Sequence, residues 1–162
     1  RVVAHSDPAL PTGDEACRLV IDIARRAGAR LAVKSKSMVG EEIGLNHALE
    51  GAGIESVETD LGEFIIQLAG ETPSHIITPA IHKSRGEIAA LFHEKIGSPP
   101  GADIPIMTRA AREVLREKFL AAGVGISGVN FAVAETGTLV VVENEGNARL
   151  TTTLPPVHIA IS

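Results

Sequence analysis

NFAVAETGTLVVVENEGN, residues 130–147, is the stretch on which the reading of this fold turns. It opens on a small apolar run, Phe131-Ala132-Val133-Ala134, turns through Glu135-Thr136-Gly137-Thr138, and returns in a largely β-branched run, Leu139-Val140-Val141-Val142. The second run is apolar on both alternating faces, which predicts a strand covered on both sides. Gly137 suits a tight hairpin loop, whose central positions call for positive φ. The expectation is a buried hairpin with a polar knot at each end, Glu135-Thr136 at the corner and Glu143 to Asn147 at the close. Taken singly these are turn residues. Three carboxylates and three Asn beside two buried strands nevertheless mark a place to look for a site.

Upstream of the hairpin, strand and helix patterns alternate. Thr12 with Glu15 makes a capping box for a first helix that Gly28 stops. Strands are expected at Arg30–Val33, Ile54–Thr59 and His75–Thr78, with a short edge strand at Val2–Ala4. Ser37 can cap a helix over Val39–Glu50. Asp60 with Glu63 starts a short helix whose inward face is Leu61, Ile65 and Leu68. Ser84 with Glu87 starts a helix running to Ile96, residues 97–105 form a loop, and Thr108 opens a last helix through Ala121. A final strand follows the hairpin. Alternation of this kind demands parallel strands joined by right-handed crossovers. The strand-rich last third adds antiparallel pairing, with the hairpin in the same sheet. The predicted fold class is α/β, a three-layer α/β/α sandwich with a mixed, mainly parallel sheet, in a single domain over residues 1–162.

Composition excludes several classes. A hydrophobic content of 44% in 162 residues supports one substantial core. With four Phe, no Tyr and no Trp, that core is aliphatic, and the stacking platform of a single-strand nucleic-acid binder is missing. A formal charge of −5 repels phosphate backbones, so no nucleic-acid partner is expected. Cys17 is the single cysteine, which suits a reducing compartment and leaves no ligand set for an iron–sulfur cluster. No apolar run reaches the roughly 20 residues of a membrane helix, so no membrane partner is expected. The chain ends inside an apolar run, Val157 to Ser162, and so reads as part of a longer one.

Ligands of open α/β sheets gather beyond the carboxyl ends of the strands. The first such end carries Lys34-Ser35-Lys36-Ser37 before a helix start, where free N–H groups and the helix dipole favour an anion. Solvated lysines at a helix start are the plainer alternative. A second end carries His82-Lys83-Ser84-Arg85, where the dipole disfavours cations unless an anion is near. That anion is a ligand group or Glu87. The six histidines form no metal-binding pair, so no metal ligands are assigned. Lys34, Ser35, Lys36, His82, Lys83, Asn130 and Thr136 are the candidate binding residues, and Glu135 the candidate catalytic carboxylate, all lining one cleft.

KSKSMVGEEIGLN (34–46), ETDLGEFIIQLAGE (58–71), HIITPAIHKSR (75–85) and GVNFAVAETGTLVVVENEGNARLTTTLP (128–155) together resemble the LUD domain of the lactate utilisation proteins. The resemblance covers nearly the whole chain. It implies a sandwich similar to that of ribose-phosphate isomerases, glucosamine-phosphate deaminases and CoA transferases. It also implies a cytoplasmic part in a three-protein system oxidising L-lactate to pyruvate, with A- and C-like lactate utilisation proteins as partners and a small anionic ligand. No cofactor is implied in this chain; [4Fe–4S] clusters would belong to a C-terminal region beyond it. Glu135-Thr136-Gly137 loosely resembles the nucleophile segment of CoA transferases. An alternative is therefore an enzyme acting through Glu135 on a small carboxylate, sugar phosphate or CoA ester.

Overall fold

Strand β2 (Leu31–Lys34) divides its side chains between two cores. Leu31 and Val33 belong to one cluster, and Ala32, between them, belongs to the other. Period-two alternation in a fully buried strand does this when helices cover both faces of a sheet. The computed structural model describes residues 2–3 by their backbone and residues 12–75 and 77–162 in full. Its sheet also contains β1 (Val2–Val3), β3 (Glu55–Glu58), β4 (Val124–Gly128) and β7 (Val157–Ile161), in the order β1-β7-β4-β2-β3 and parallel throughout.

On one face lie α1 (Gly13–Arg26), α2 (Met38–Glu42) and α3 (Leu45–Gly51), closing Val20, Ala24, Leu45 and Leu49 against Ala32, Val124 and Ile126. On the other lie α4 (Leu61–Ala69), α5 (Arg85–Ile96) and α6 (Ile104–Ala121), closing Phe64, Phe92, Met107 and Leu115 against Leu31, Val33 and Val57. The result is a three-layer α/β/α domain. Local signals set most helix starts. Thr12, Ser37, Asp60 and Ser84 each accept a backbone N–H of the first turn, as their N-cap positions require.

The hairpin departs from expectation. Strands β5 (Phe131–Val133) and β6 (Thr138–Val140) pair antiparallel, Phe131 opposite Val140, but form a separate two-stranded sheet. They are not buried. Phe131, Val133 and Val140 are exposed, and Leu139 and Val141 half-buried. The reason is occupancy: β4, which precedes the hairpin, already pairs with β2 on one side and β7 on the other. A hairpin that continues directly from β4 therefore cannot double back to pair beside it.

Other differences are smaller. The strand expected at 75–78 is absent from its described residues; His75 Nδ1 instead accepts the backbone N–H of Ile77 and Thr78, and Ile76 lies outside the described residues, as does Ala4. The helix expected over 39–50 breaks at Gly44, whose φ of 65° is left-handed. Helix α6 begins four residues early because Asp103 caps it and Pro105 fits a first turn. Central strand β4 and helix α7 (Asn147–Thr153) were not foreseen in the sequence pattern.

Candidate functional site

Strands β2 and β4 are neighbours whose following segments leave on opposite faces, towards α2 and α3 after β2 and towards the hairpin and α7 after β4. This is a topological switch point, where the connections part and leave a crevice at the carboxyl edge. The two strand ends approach closely. A Cβ added at Gly128 would stand 3.1 Å from Ser37 Oγ. Beyond them opens a cleft of about 730 Å³. Its lining comes from the 35–39 segment after β2, Asp60 to Gly62 after β3, Gly128 to Asn130 after β4, residues 77–81, and the returning 141–148 segment.

Of the candidate residues, Ser35, Lys36 and Asn130 line this cleft; Lys34, His82, Lys83, Glu135 and Thr136 do not. Lys34 is fully buried under it, its Nζ 2.8 Å from Glu58 Oε1 and 3.1 Å from Glu41 Oε1. A strand that ends on Lys34 with all four positions buried points this side chain into the core, where it needs a carboxylate. His82 and Lys83 clamp Glu71, at 2.7 and 2.6 Å, and hydrogen bonds from both hold the Glu71 carboxyl below its usual range. The anion that the 82–85 cluster requires is thus a side chain of this chain, with Glu87 closing a capping box at Ser84.

Glu135 and Thr136 sit at the exposed corner of the ribbon. Three residues of strand at about 3.4 Å each carry that corner roughly 10 Å out from the base. The opposite knot returns to the sheet edge because Val140 pairs with Phe131, and Val142 donates its N–H to Asn130 Oδ1 at 2.8 Å. Glu143, Asn144, Glu145 and Asn147 therefore line the cleft. Hairpin arithmetic in the sequence held the signal for this: strands that start at a site bring their far end back to it.

The polar groups of the cleft are mostly engaged. Lys36 Nζ donates to the Ile77 carbonyl at 3.1 Å and stands 3.6 Å from Glu63 Oε1. An ammonium has three N–H donors, so one remains. Ser35 is buried, and its Oγ has no hydrogen-bond partner among the described residues. Asp60 Oδ1 caps α4 through Gly62 and Glu63 N–H, and Glu145 Oε2 accepts from Leu61 N–H at 3.2 Å. Burial pushes the Glu145 and Glu63 carboxyls up.

Beneath the cleft, Glu58 accepts from Asn46 Nδ2 at 2.6 Å as well as from Lys34, while its Oε2 is buried without a partner. Burial pushes the Glu58 carboxyl up to about 7, against the pull of Lys34. Burial alone would lower Lys34, and the Glu58 and Glu41 carboxylates outweigh it and raise it. A carboxyl of ordinary value 4.5 raised to about 7 holds an extra proton in the folded state between those values. Its contribution to stability is full below the lower value and is lost as pH rises through the higher one. Glu58→Gln should therefore flatten the pH dependence of stability, measured by urea denaturation between about pH 5 and 7. A variant whose slope matches wild type over that window would contradict the shifted titration.

A second cavity, about 540 Å³, lies between the inner face of the ribbon and α7. At its floor His158 Nε2 meets Ser127 Oγ at 2.8 Å, and burial holds the imidazole below its ordinary pKa. His158 is thus a hydrogen-bonded core histidine. Among the described residues no group of three or more His, Cys, Asp or Glu is arranged to hold a metal ion. The chain does not fit an iron–sulfur cluster either: its single Cys17 is buried and donates to the Ile43 carbonyl. No described helix is long and apolar enough to cross a membrane.

Fold and crevice together define a class, an α/β/α sandwich with a crevice at a switch point of its sheet. The chain belongs to the LUD domain family, whose model matches residues 9–162. It is 53% identical over 150 residues to the uncharacterized electron transport protein YkgF of Escherichia coli (strain K12), covering 93% of this chain and 32% of that protein. Over the same shares it is 50% identical to lactate utilization protein B of Bacillus thuringiensis (strain Al Hakam) and of Bacillus cereus (strain B4264). The chain spans about a third of the length of the curated relatives it matches. No solved structure matches it.

Proposed function

We propose that this LUD domain is the small-anion-binding module of a lactate-oxidising assembly, holding its ligand in the switch-point crevice. The observation that carries the reading is unspent hydrogen-bonding capacity in the crevice lining, a buried Ser35 hydroxyl without a partner among the described residues and a Lys36 ammonium with one N–H to give. Preorganised donors at a strand end hold a carboxylate without rearrangement. The names of the relatives, one an electron transport protein and others lactate utilization protein B, support a place in lactate oxidation. Redox chemistry in that assembly belongs to [4Fe–4S] clusters outside this chain, and A- and C-like lactate utilisation proteins are the proposed partners.

Isothermal titration calorimetry with a panel of small anions, L-lactate, pyruvate and ribose 5-phosphate among them, tests the module. At least one should bind, and Lys36→Ala should weaken it about tenfold, the worth of one charge-assisted hydrogen bond. Wild type giving no heat with any anion, or Lys36→Ala binding as wild type does, would overturn the reading.

A further inference from the structure

The crevice is much larger than a three-carbon acid needs. Its volume of about 730 Å³ falls in the range of roughly 300–1,000 Å³ that holds ligands the size of drugs and cofactors. Its charge is also lopsided. Among the described lining residues one ammonium, Lys36, faces three carboxylates, Asp60, Glu143 and Glu145. Glu143 is answered by Arg149, at 3.4 Å, but Asp60 and Glu145 are spent only on the amides of helix α4. Their second oxygens, and the Asn144 amide, make no hydrogen bond to another described residue.

These features divide the possible ligands by chemistry. A pyrophosphate or a phosphate dianion would bring two or more negative charges against carboxylates that already outnumber the cation, and like charges at such range repel. A single carboxylate has the Lys36 ammonium to meet it, with the unpartnered Ser35 hydroxyl in the same lining. Hydroxyl groups, which donate, have carboxylate and amide acceptors across the cleft. The lining also carries exposed apolar side chains, Ile77, Ile81 and Val142, which suit the C–H faces of a carbohydrate chain.

We infer that the crevice takes a polyhydroxylated monocarboxylate, a sugar acid, in preference to a three-carbon hydroxy acid or a phosphate-bearing ligand. The inference rests on the crevice being the ligand site proposed above. Calorimetry of the 162-residue chain with D-gluconate, L-lactate, ribose 5-phosphate and coenzyme A tests it. Gluconate should bind about tenfold or more tightly than lactate. Asn144→Ala should weaken gluconate several-fold and lactate by less, because lactate has one hydroxyl to offer that amide and gluconate five. Ribose 5-phosphate or coenzyme A binding more tightly than gluconate, with loss on Lys36→Ala, would keep the crevice as a site and overturn the sugar-acid assignment. Lactate matching gluconate would overturn it as well. No binding by any of the four would overturn the assignment, and Lys36→Ala tested on the wider anion panel then decides the site itself.

Discussion

Lys34→Ala should destabilise the chain by about 3–5 kcal/mol, the usual cost of leaving one member of a buried ion pair without its partner. Lys34 is wholly buried at the end of β2 between Glu58 and Glu41. Its removal leaves Glu58, nearly as deeply buried, with the Asn46 amide as its remaining side-chain donor. Urea denaturation of wild type, Lys34→Ala and the double variant Lys34→Ala/Glu58→Gln measures the effect. The double variant should recover part of the loss, because a neutral amide tolerates burial better than a lone carboxylate. A loss below about 1 kcal/mol would place Lys34 among solvated surface lysines and contradict its buried position. The result also bears on the proposed function, since a core lysine is unavailable as a ligand clamp and the proposal assigns that role to Lys36.

Gly125→Ala should cost about 3 kcal/mol or more, at the upper end of overpacking effects. Gly125 lies in the middle of β4, paired with Val33 on β2 and His158 on β7. A Cβ built there would stand 1.9 Å from the Thr151 carbonyl oxygen of α7, a backbone atom that cannot rotate away. Either α7 lifts from the sheet or β4 shifts, and both disturb the 141–148 segment that walls the crevice. The thermal midpoint should fall by many degrees, and the Pro155 side chain, 3.1 Å from the same point, limits any relaxation. Gly51→Ala is the control: nothing lies within 4 Å of its Cβ and it sits in a helix, so a small change is expected. Equal effects at the two glycines would refute the close approach of α7.

Gly125 also explains why part of this fold was illegible before the structure. Strand β4 is Val124-Gly125-Ile126-Ser127-Gly128, and two glycines and a serine carry little strand propensity. Yet it is the middle strand of the sheet, held there by neighbours on both sides and by a helix that needs the missing side chain. The hairpin is the reverse case. Its apolar runs have strong strand character and do form strands, but intrinsic preference says nothing of which sheet will accept them.

What the sequence by itself determined are the features written in short-range chemistry. The caps at Thr12, Ser37, Asp60 and Ser84, the alternation of helix and strand, the α/β/α class and the family membership all rest on neighbouring residues or on long continuous strings. It also located the carboxyl-edge residues Ser35, Lys36 and Asn130. Only the tertiary structure decided that β7 and β2 flank β4 and shut the hairpin out of the sheet. It alone decided that Lys34 turns into the core, that Glu71 answers His82 and Lys83, and that the cleft is walled by Glu143 to Asn147 instead of Glu135 and Thr136. Each of these depends on which segments distant in the chain share a strand edge or a charge. Local propensity carries no information about that, because the free energy deciding it appears only when the layers close.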